Sequence, residues 1–178
     1  LSLDTETGET SVLFANFTVQ NLQQTLRESL SNQIVGVSGD FEYLSQIGLR
    51  TASDGTVSID DGELTDALKE DVGNVSELFS SSGSTTSSAV TFVGFTNTTL
   101  PGGYDIQVSN GVPQLATSGS STFIDATGTG NFFAGAVGTD AEGLNFRISS
   151  LSDGSYGKIS LSIGVAEITN RILVNLTD

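Results

Sequence analysis

Apolar residues recur along this chain with two periods, and the change from one to the other divides it. Between Asn16 and Ser31, Val19, Leu22, Leu26 and Leu30 fall three or four positions apart, which stacks them on one face of a helix. Gln20, Gln23, Gln24, Arg27 and Glu28 fill much of the remainder, and Asn16 supplies an N-cap. Gly36 to Gly39 ends that pattern. Leu44–Leu49 and Thr56–Ile59 then read as two short strands joined through Asp54-Gly55, a dipeptide suited to the positive φ of a tight turn. Thr56-Val57-Ser58-Ile59 alternates polar and apolar, as a half-buried strand should. Asp60 followed by Glu63 has the spacing of a capping box, and Asn74 with Glu77 repeats it. Two short capped helices are therefore predicted, with Leu64/Ala67/Leu68 and Val75/Leu78/Phe79 as inner faces and Gly73 between them.

The character changes at Ser80. Ser80 to Ser88 holds only Ser, Thr and Gly, the composition of a flexible linker. From there to about Ile163, short alternations predict strands at Val90–Phe95, Tyr104–Val108, Leu144–Ile148 and Lys158–Ile163. Pro101-Gly102-Gly103, Asn110-Gly111, Asp140 to Gly143 and Asp153-Gly154 supply turns, and Phe132-Phe133 reads as core. After Gly164, Val165, Ile168, Ile172, Leu173 and Leu176 return to helical spacing. The expected fold is α+β: a helix-rich domain with a β-hairpin, discontinuous over residues 1–82 and 164–178. A Ser/Thr linker at 83–88 leads into an inserted small antiparallel β domain at 89–163. The last helix is expected to pack back on the first.

Charge and composition narrow the chemistry. The formal net charge is −15, with six basic residues in 178, scattered singly. No basic stripe follows a phosphate backbone, so no nucleic-acid partner is expected, and an anionic membrane surface would repel the chain. No apolar run approaches the roughly 18 residues of a span, so no membrane insertion is expected. Cys and His are both absent, which removes disulfides, thiolate metal sites and every His-based triad or zinc centre within this chain.

The early acids Asp4, Glu6 and Glu9 match no calcium-loop spacing and read as a solvated terminus. Asp60/Asp61, Asp66, Glu70/Asp71 and Asp140/Glu142 are the carboxylate groupings from which a glycosidase pair would have to come. Two of them fall where helix N-caps are expected, and the chain has no Trp to serve as a sugar platform. No catalytic, cofactor-binding or metal-binding residue is expected, and no enzyme activity. Gly128-Thr129-Gly130 lacks the Lys of a phosphate loop, and the Asn-x-Ser/Thr triplets at Asn16, Asn74, Asn97 and Asn175 follow from composition. The chain opens at Leu1 without a signal-peptide pattern and reads as a fragment of a longer protein.

The stretch Leu44-Ser45-Gln46-Ile47-Gly48-Leu49, Asp54 to Asp60, Leu64, Ala67-Leu68 and Val75 to Phe79 closely resembles the C-terminal region of bacterial flagellar filament-cap proteins (FliD, of the flagellar hook-associated family). Leu13-Phe14 and Thr18 to Arg27 resemble the family's preceding helix. Gly102-Gly103-Tyr104-Asp105-Ile106-Gln107-Val108 is similar to its short flagellin insertion motif. Gly164-Val165-Ala166 resembles the return into its C-terminal helix. Ala15-Asn16 stands where the family often has Gly-Asp, and Gln20 replaces a frequent Arg. The long terminal helical segments of the family are absent.

The resemblance implies a non-enzymatic, exported structural protein, extracellular at the filament tip, that forms a ring-shaped homo-oligomer. It implies flagellin as a partner, folded and inserted beneath the ring, together with hook–filament junction proteins and an export chaperone. The alternative is a surface adhesion or glycan-binding module carried by the β domain. Another axial component, such as flagellin or a junction protein, fits the capped hairpin less well.

Overall fold

The computed structural model describes residues 17–52 and 54–174, and the fold is α+β. Asn16, the acids Asp4, Glu6 and Glu9, and Leu176 lie outside the described residues. Helix α1 spans Phe17–Ser31, with Leu26 and Leu30 half-buried.

The next apolar stretch corrects the expected strand: Leu44–Ile47 is one turn of 3₁₀ helix. At three residues per turn Leu44 and Ile47 eclipse, so both enter the core together. The Gln46 side-chain oxygen accepts from the backbone N–H groups of Glu42 and Tyr43, and Gly48 ends the turn at φ 84°. Strand β1 (Leu49–Thr51) then pairs antiparallel with β2 (Val57–Ile59) across the turn at Gly55. The alternation of β2 does not translate into half-burial, because all three of its residues are exposed.

Helix α2 (Asp61–Glu70) is capped as expected by Asp60, which accepts from Gly62 and Glu63 N–H. Glu63 does not complete a box; its carboxylate pairs with Arg50 of β1 at 2.8 Å. Helix α3 (Val72–Phe79) begins one turn earlier than the sequence suggests, with Asp71 as N-cap accepting from Asn74 N–H. Asn74 is thus not a cap. It is a buried residue inside α3, and Gly73 lies within the helix.

The Ser80–Ser88 run corrects a second expectation. Ser81–Thr85 forms strand β3, hydrogen-bonded to β11 (Gly154–Ile163) from Ser81↔Ile163 to Thr85↔Ile159. A ladder uses backbone groups only, so a run of small residues can carry it. The missing side chain at Gly83 leaves room for the Phe92 ring, which a Cβ there would overlap. β4 (Val90–Gly94), β5 (Gly102–Ser109), β10 (Asn145–Ile148) and β11 fall near the predicted strands. Gly102 and Gly103 belong to β5 and not to a turn.

β6 (Val112–Thr117), β7 (Ile124–Asp125), β8 (Thr127–Thr129) and β9 (Phe132–Ala134) complete two antiparallel sheets. Their orders are β3-β11-β5-β6-β7 and β4-β10-β9-β8. Asn110-Gly111 makes the β5–β6 turn with positive φ at both positions, the geometry that matches strand twist.

Two buried clusters result. One lies between the sheets and contains Tyr104, Ile106, Leu144, Phe146, Ile148, Ile159 and Leu161. Phe133 stacks in it, tilted 31° to Phe146 at 6.1 Å, whereas Phe132 points out, so the Phe pair is split by the strand's alternation. The other contains Ile34, Leu44, Ile47, Ala67, Val75 and Leu78. Helix α4 (Val165–Val174) packs against α1, as expected, and its Ile168 touches both clusters.

Candidate assembly surfaces

The carboxylates weighed for catalysis turn out to have structural partners or none. Asp60 and Asp71 cap helices, Asp66 pairs with Lys69, and Glu142 accepts from Gly138 N–H at 2.7 Å. Asp140 accepts from the Thr117 hydroxyl at 3.2 Å, while Asp61 and Glu70 are exposed. Among the described residues no three such groups gather to hold a metal ion, and no helix is long and apolar enough to cross a membrane. Of the Asn-x-Ser/Thr positions described, Asn97 is exposed and Asn74 is buried with its amide engaged.

The geometry is instead that of a joint between the two cores, with surfaces on either side. Two contacts make the joint, and a third braces the helical side of it. Arg171 of α4 donates from Nε to Glu167 at 3.1 Å, from Nη1 to Thr99 O at 2.9 Å and from Nη2 to Thr96 O at 3.4 Å. Its guanidinium lies 5.8 Å from the Phe95 ring centre. A half-buried arginine thus ties α4 to the loop after β4. That loop is held in turn to residues 140–142: Thr99 Oγ1 donates to Glu142 O at 2.6 Å and Leu100 N–H to Asp140 O at 2.9 Å. The Tyr104 hydroxyl, with Leu100 O at 2.6 Å and Asp140 O at 2.8 Å as acceptors, closes the same junction. Burial, with the Asp140 charge added, pushes this phenol up to about 12.

The brace within the helical part is Asn74. Its Oδ1 accepts from Phe41 N–H at 2.6 Å and its Nδ2 donates to Phe41 O at 3.3 Å, so one amide satisfies both backbone groups of a residue 33 positions away. Glu77, one turn on, accepts from Ser38 N–H at 2.7 Å. The second contact of the joint is close backbone approach: Gly36 lies against the carbonyl of Leu161 in β11, and Gly164 against Phe79–Ser80. Strands β3 and β11 therefore leave and rejoin the helical part side by side. None of these partners has a sequence signature. Only the Glu167/Arg171 spacing, one helical turn, carries a signal in the sequence.

The helical part and the β part each carry a cleft. One of about 280 Å³ lies between α1 and the β1–β2 turn, with Leu26, Arg27, Leu30, Thr51 and Asp54 in its walls. Arg27 Nε is buried there with no hydrogen-bond partner among the described residues. Asp54 is committed to its own turn: bonds from Thr56 N–H and hydroxyl hold its carboxyl below the usual range, with Arg27 a minor contributor. The other cleft, about 250 Å³, is lined by Thr117, Ser120, Thr122, Thr139 and Asp140, a hydroxyl-rich wall beside β6 and β7.

Comparison with known proteins agrees with the resemblance seen in the sequence. Residues 2–152 match the family model described as Flagellar hook-associated protein 2 C-terminus. The chain is similar to Flagellar hook-associated protein 2 of Escherichia coli O157:H7 and of Escherichia coli strain K12, 33% identical to each over 84 residues. That stretch is 47% of this chain and 18% of each relative, so the chain spans only a small part of the curated relatives it matches. No solved structure matches it. With a family match over residues 2–152 of its 178, and a mixed α+β fold, this chain belongs to the flagellar hook-associated protein 2 (FliD) C-terminal family.

Proposed function

We propose that this chain is part of a structural capping protein at the tip of the bacterial flagellar filament, non-enzymatic, exported and extracellular. In this reading it promotes flagellin folding and polymerisation beneath a ring of identical subunits and prevents flagellin from leaking away. Flagellin and other copies of itself are its main partners, with hook–filament junction proteins and an export chaperone as further ones. The family match over residues 2–152 is the observation that carries the reading. A Cys-free, acidic, Ser/Thr/Gly-rich chain also suits unfolded passage through a narrow export channel.

In the same reading the β part is an insertion in a discontinuous helical domain. Two separate buried clusters and the adjacency of Gly164 to Phe79–Ser80 support this division. Replacing residues 81–163 with a short Gly bridge tests it, and loss of all helical circular dichroism would overturn it.

The capping role is tested by deleting the full-length gene and measuring released flagellin together with filament length. Short filaments with abundant soluble flagellin, restored by the intact gene, are expected; normal filaments without leakage refute capping. A second reading, adhesion through a glycan, draws on the hydroxyl-lined cleft at Thr117, Thr122 and Asp140. A glycan array probed with the whole chain separates the two, since capping alone predicts no ligand.

A further inference from the structure

The β5–β6 turn brings together the parts of a reaction that needs no enzyme. Asparagine is chemically labile, because the backbone nitrogen that follows it can attack its side-chain carbonyl carbon and close a cyclic imide. A β-carbon on the following residue crowds that attack. Every asparagine in the chain except Asn110 is followed by a residue that has one, whereas Asn110 is followed by Gly111.

The fold leaves this pair uncovered. Both residues are exposed, at φ 53° and 75°, and a Cβ added at Gly111 would meet nothing within 4 Å. The ladder between β5 and β6 ends at Ser109↔Val112, so no backbone carbonyl holds the Gly111 N–H. It donates instead to Oδ1 of Asp153 at 3.1 Å, an exposed carboxylate placed to accept the proton that the attacking nitrogen must lose. The Asn110 amide makes one long contact, Nδ2 to Ser109 Oγ at 3.4 Å, which leaves its carbonyl carbon free to turn toward Gly111 N. Asn74 is the opposite case, buried with both amide atoms engaged.

We propose that Asn110 is a site of spontaneous deamidation in the folded protein, and that the reaction alters the hairpin it turns. A bond forms between Gly111 N and Asn110 Cγ, the Cγ–Nδ2 bond breaks, and ammonia leaves with the proton released from the nitrogen. Water then opens the imide. Cleavage at Cγ gives aspartate in a normal chain; cleavage at the main-chain carbonyl gives isoaspartate, with one extra carbon in the backbone. Nothing is oxidised or reduced, and water is the only co-reactant. The turn sets the β5–β6 register, from Ser109↔Val112 back to Tyr104↔Thr117. An added backbone carbon in a two-residue loop breaks the match between turn and strand twist. Either product also places a new carboxylate one residue from the N–H that Asp153 holds. The site is independent of the capping role.

Peptide mapping by mass spectrometry tests the site on the whole chain, held folded at mildly alkaline pH over a time series. The peptide containing Asn110 should gain the mass difference of hydroxyl over amide before any other asparagine peptide does. The product should be a mixture of aspartate and isoaspartate, with Asn110→Asp as the standard for the first. Asn110→Gly keeps a residue suited to positive φ in the turn and should lose the mass gain. Aged wild-type protein should unfold at a lower temperature than fresh protein by circular dichroism, with aged Asn110→Gly unchanged. An unmodified Asn110 peptide overturns the proposal, as does a reaction confined to chains unfolded in urea, or one that reaches another asparagine first. An aged, deamidated chain that melts with the fresh one refutes the effect on the hairpin.

Discussion

Removing Arg171 should loosen the β part from the helical part more than it disturbs either core. The bond to Thr99 O is charge-assisted, and leaving that acceptor unpaired costs about 1.5–3 kcal/mol. Thr99 is fully buried, so water cannot readily replace the arginine there. The pair with Glu167, only about a fifth exposed, adds about 0.5–1 kcal/mol. The Phe95 ring at 5.8 Å adds a further ~0.5 kcal/mol. The 3.4 Å approach to Thr96 O is too long to add much.

These terms overlap, and Arg171→Ala should cost about 2–4 kcal/mol in total. For a domain of this size that lowers Tm by roughly 5–12 °C. Arg171→Lys keeps a charge but cannot fork to Glu167 and Thr99 together, so it should recover less than half of the loss. Thermal unfolding followed by circular dichroism gives the magnitude. Amide hydrogen exchange gives the place, since the N–H groups of Thr99 and Leu100 should lose protection before those of β5. A change under about 0.5 kcal/mol, or an equal loss of protection across both sheets, would refute the joint.

Three further outcomes follow from the other contacts described above. Tyr104→Phe removes the hydroxyl placed between Leu100 O and Asp140 O and should destabilise by about 1–3 kcal/mol in equilibrium urea unfolding. The folded phenol titrates above its ordinary value, so its stabilisation is complete below about pH 10 and declines as pH rises toward about 12. Alkaline unfolding should therefore be steeper in the wild type than in the Phe variant over that window, and equal slopes would contradict it. Gly36→Ala forces a side chain into φ +88° and against the Leu161 carbonyl, a combined loss expected above about 3 kcal/mol, read as a fall in the urea midpoint. Asn74→Ala leaves both Phe41 backbone groups unpaired and should cost about 2–4 kcal/mol. Asn74→Gln, with an amide one methylene too far, should restore little of it.

Much of this protein is legible in its local sequence. The three- and four-residue spacing of α1 and α4, the alternation in β4, β5, β10 and β11, the Asn110-Gly111 turn and the Asp60 cap all express forces between residues close in the chain. The family resemblance rests on the same stretches. What escaped it depends on partners far away. β3 is a strand only because β11 lies beside it, from Thr85↔Ile159 to Ser81↔Ile163; by composition it remains a linker. Leu44 and Ile47 suit a strand or a 3₁₀ turn equally well until Gln46 gathers the N–H groups of Glu42 and Tyr43.

β2 alternates correctly, yet nothing among the described residues covers its apolar side. Pro113 hid β6, since a proline within a run argues against a strand unless its lost donor goes unmissed. By sequence Arg171 is an ordinary polar helix residue and Asn74 a helix cap; the fold instead brings backbone carbonyls and amides to them. Periodicity records which face of an element is apolar, so the elements could be read from sequence. Which backbone groups are left needing a partner, and which side chain reaches them, is decided only when distant segments meet.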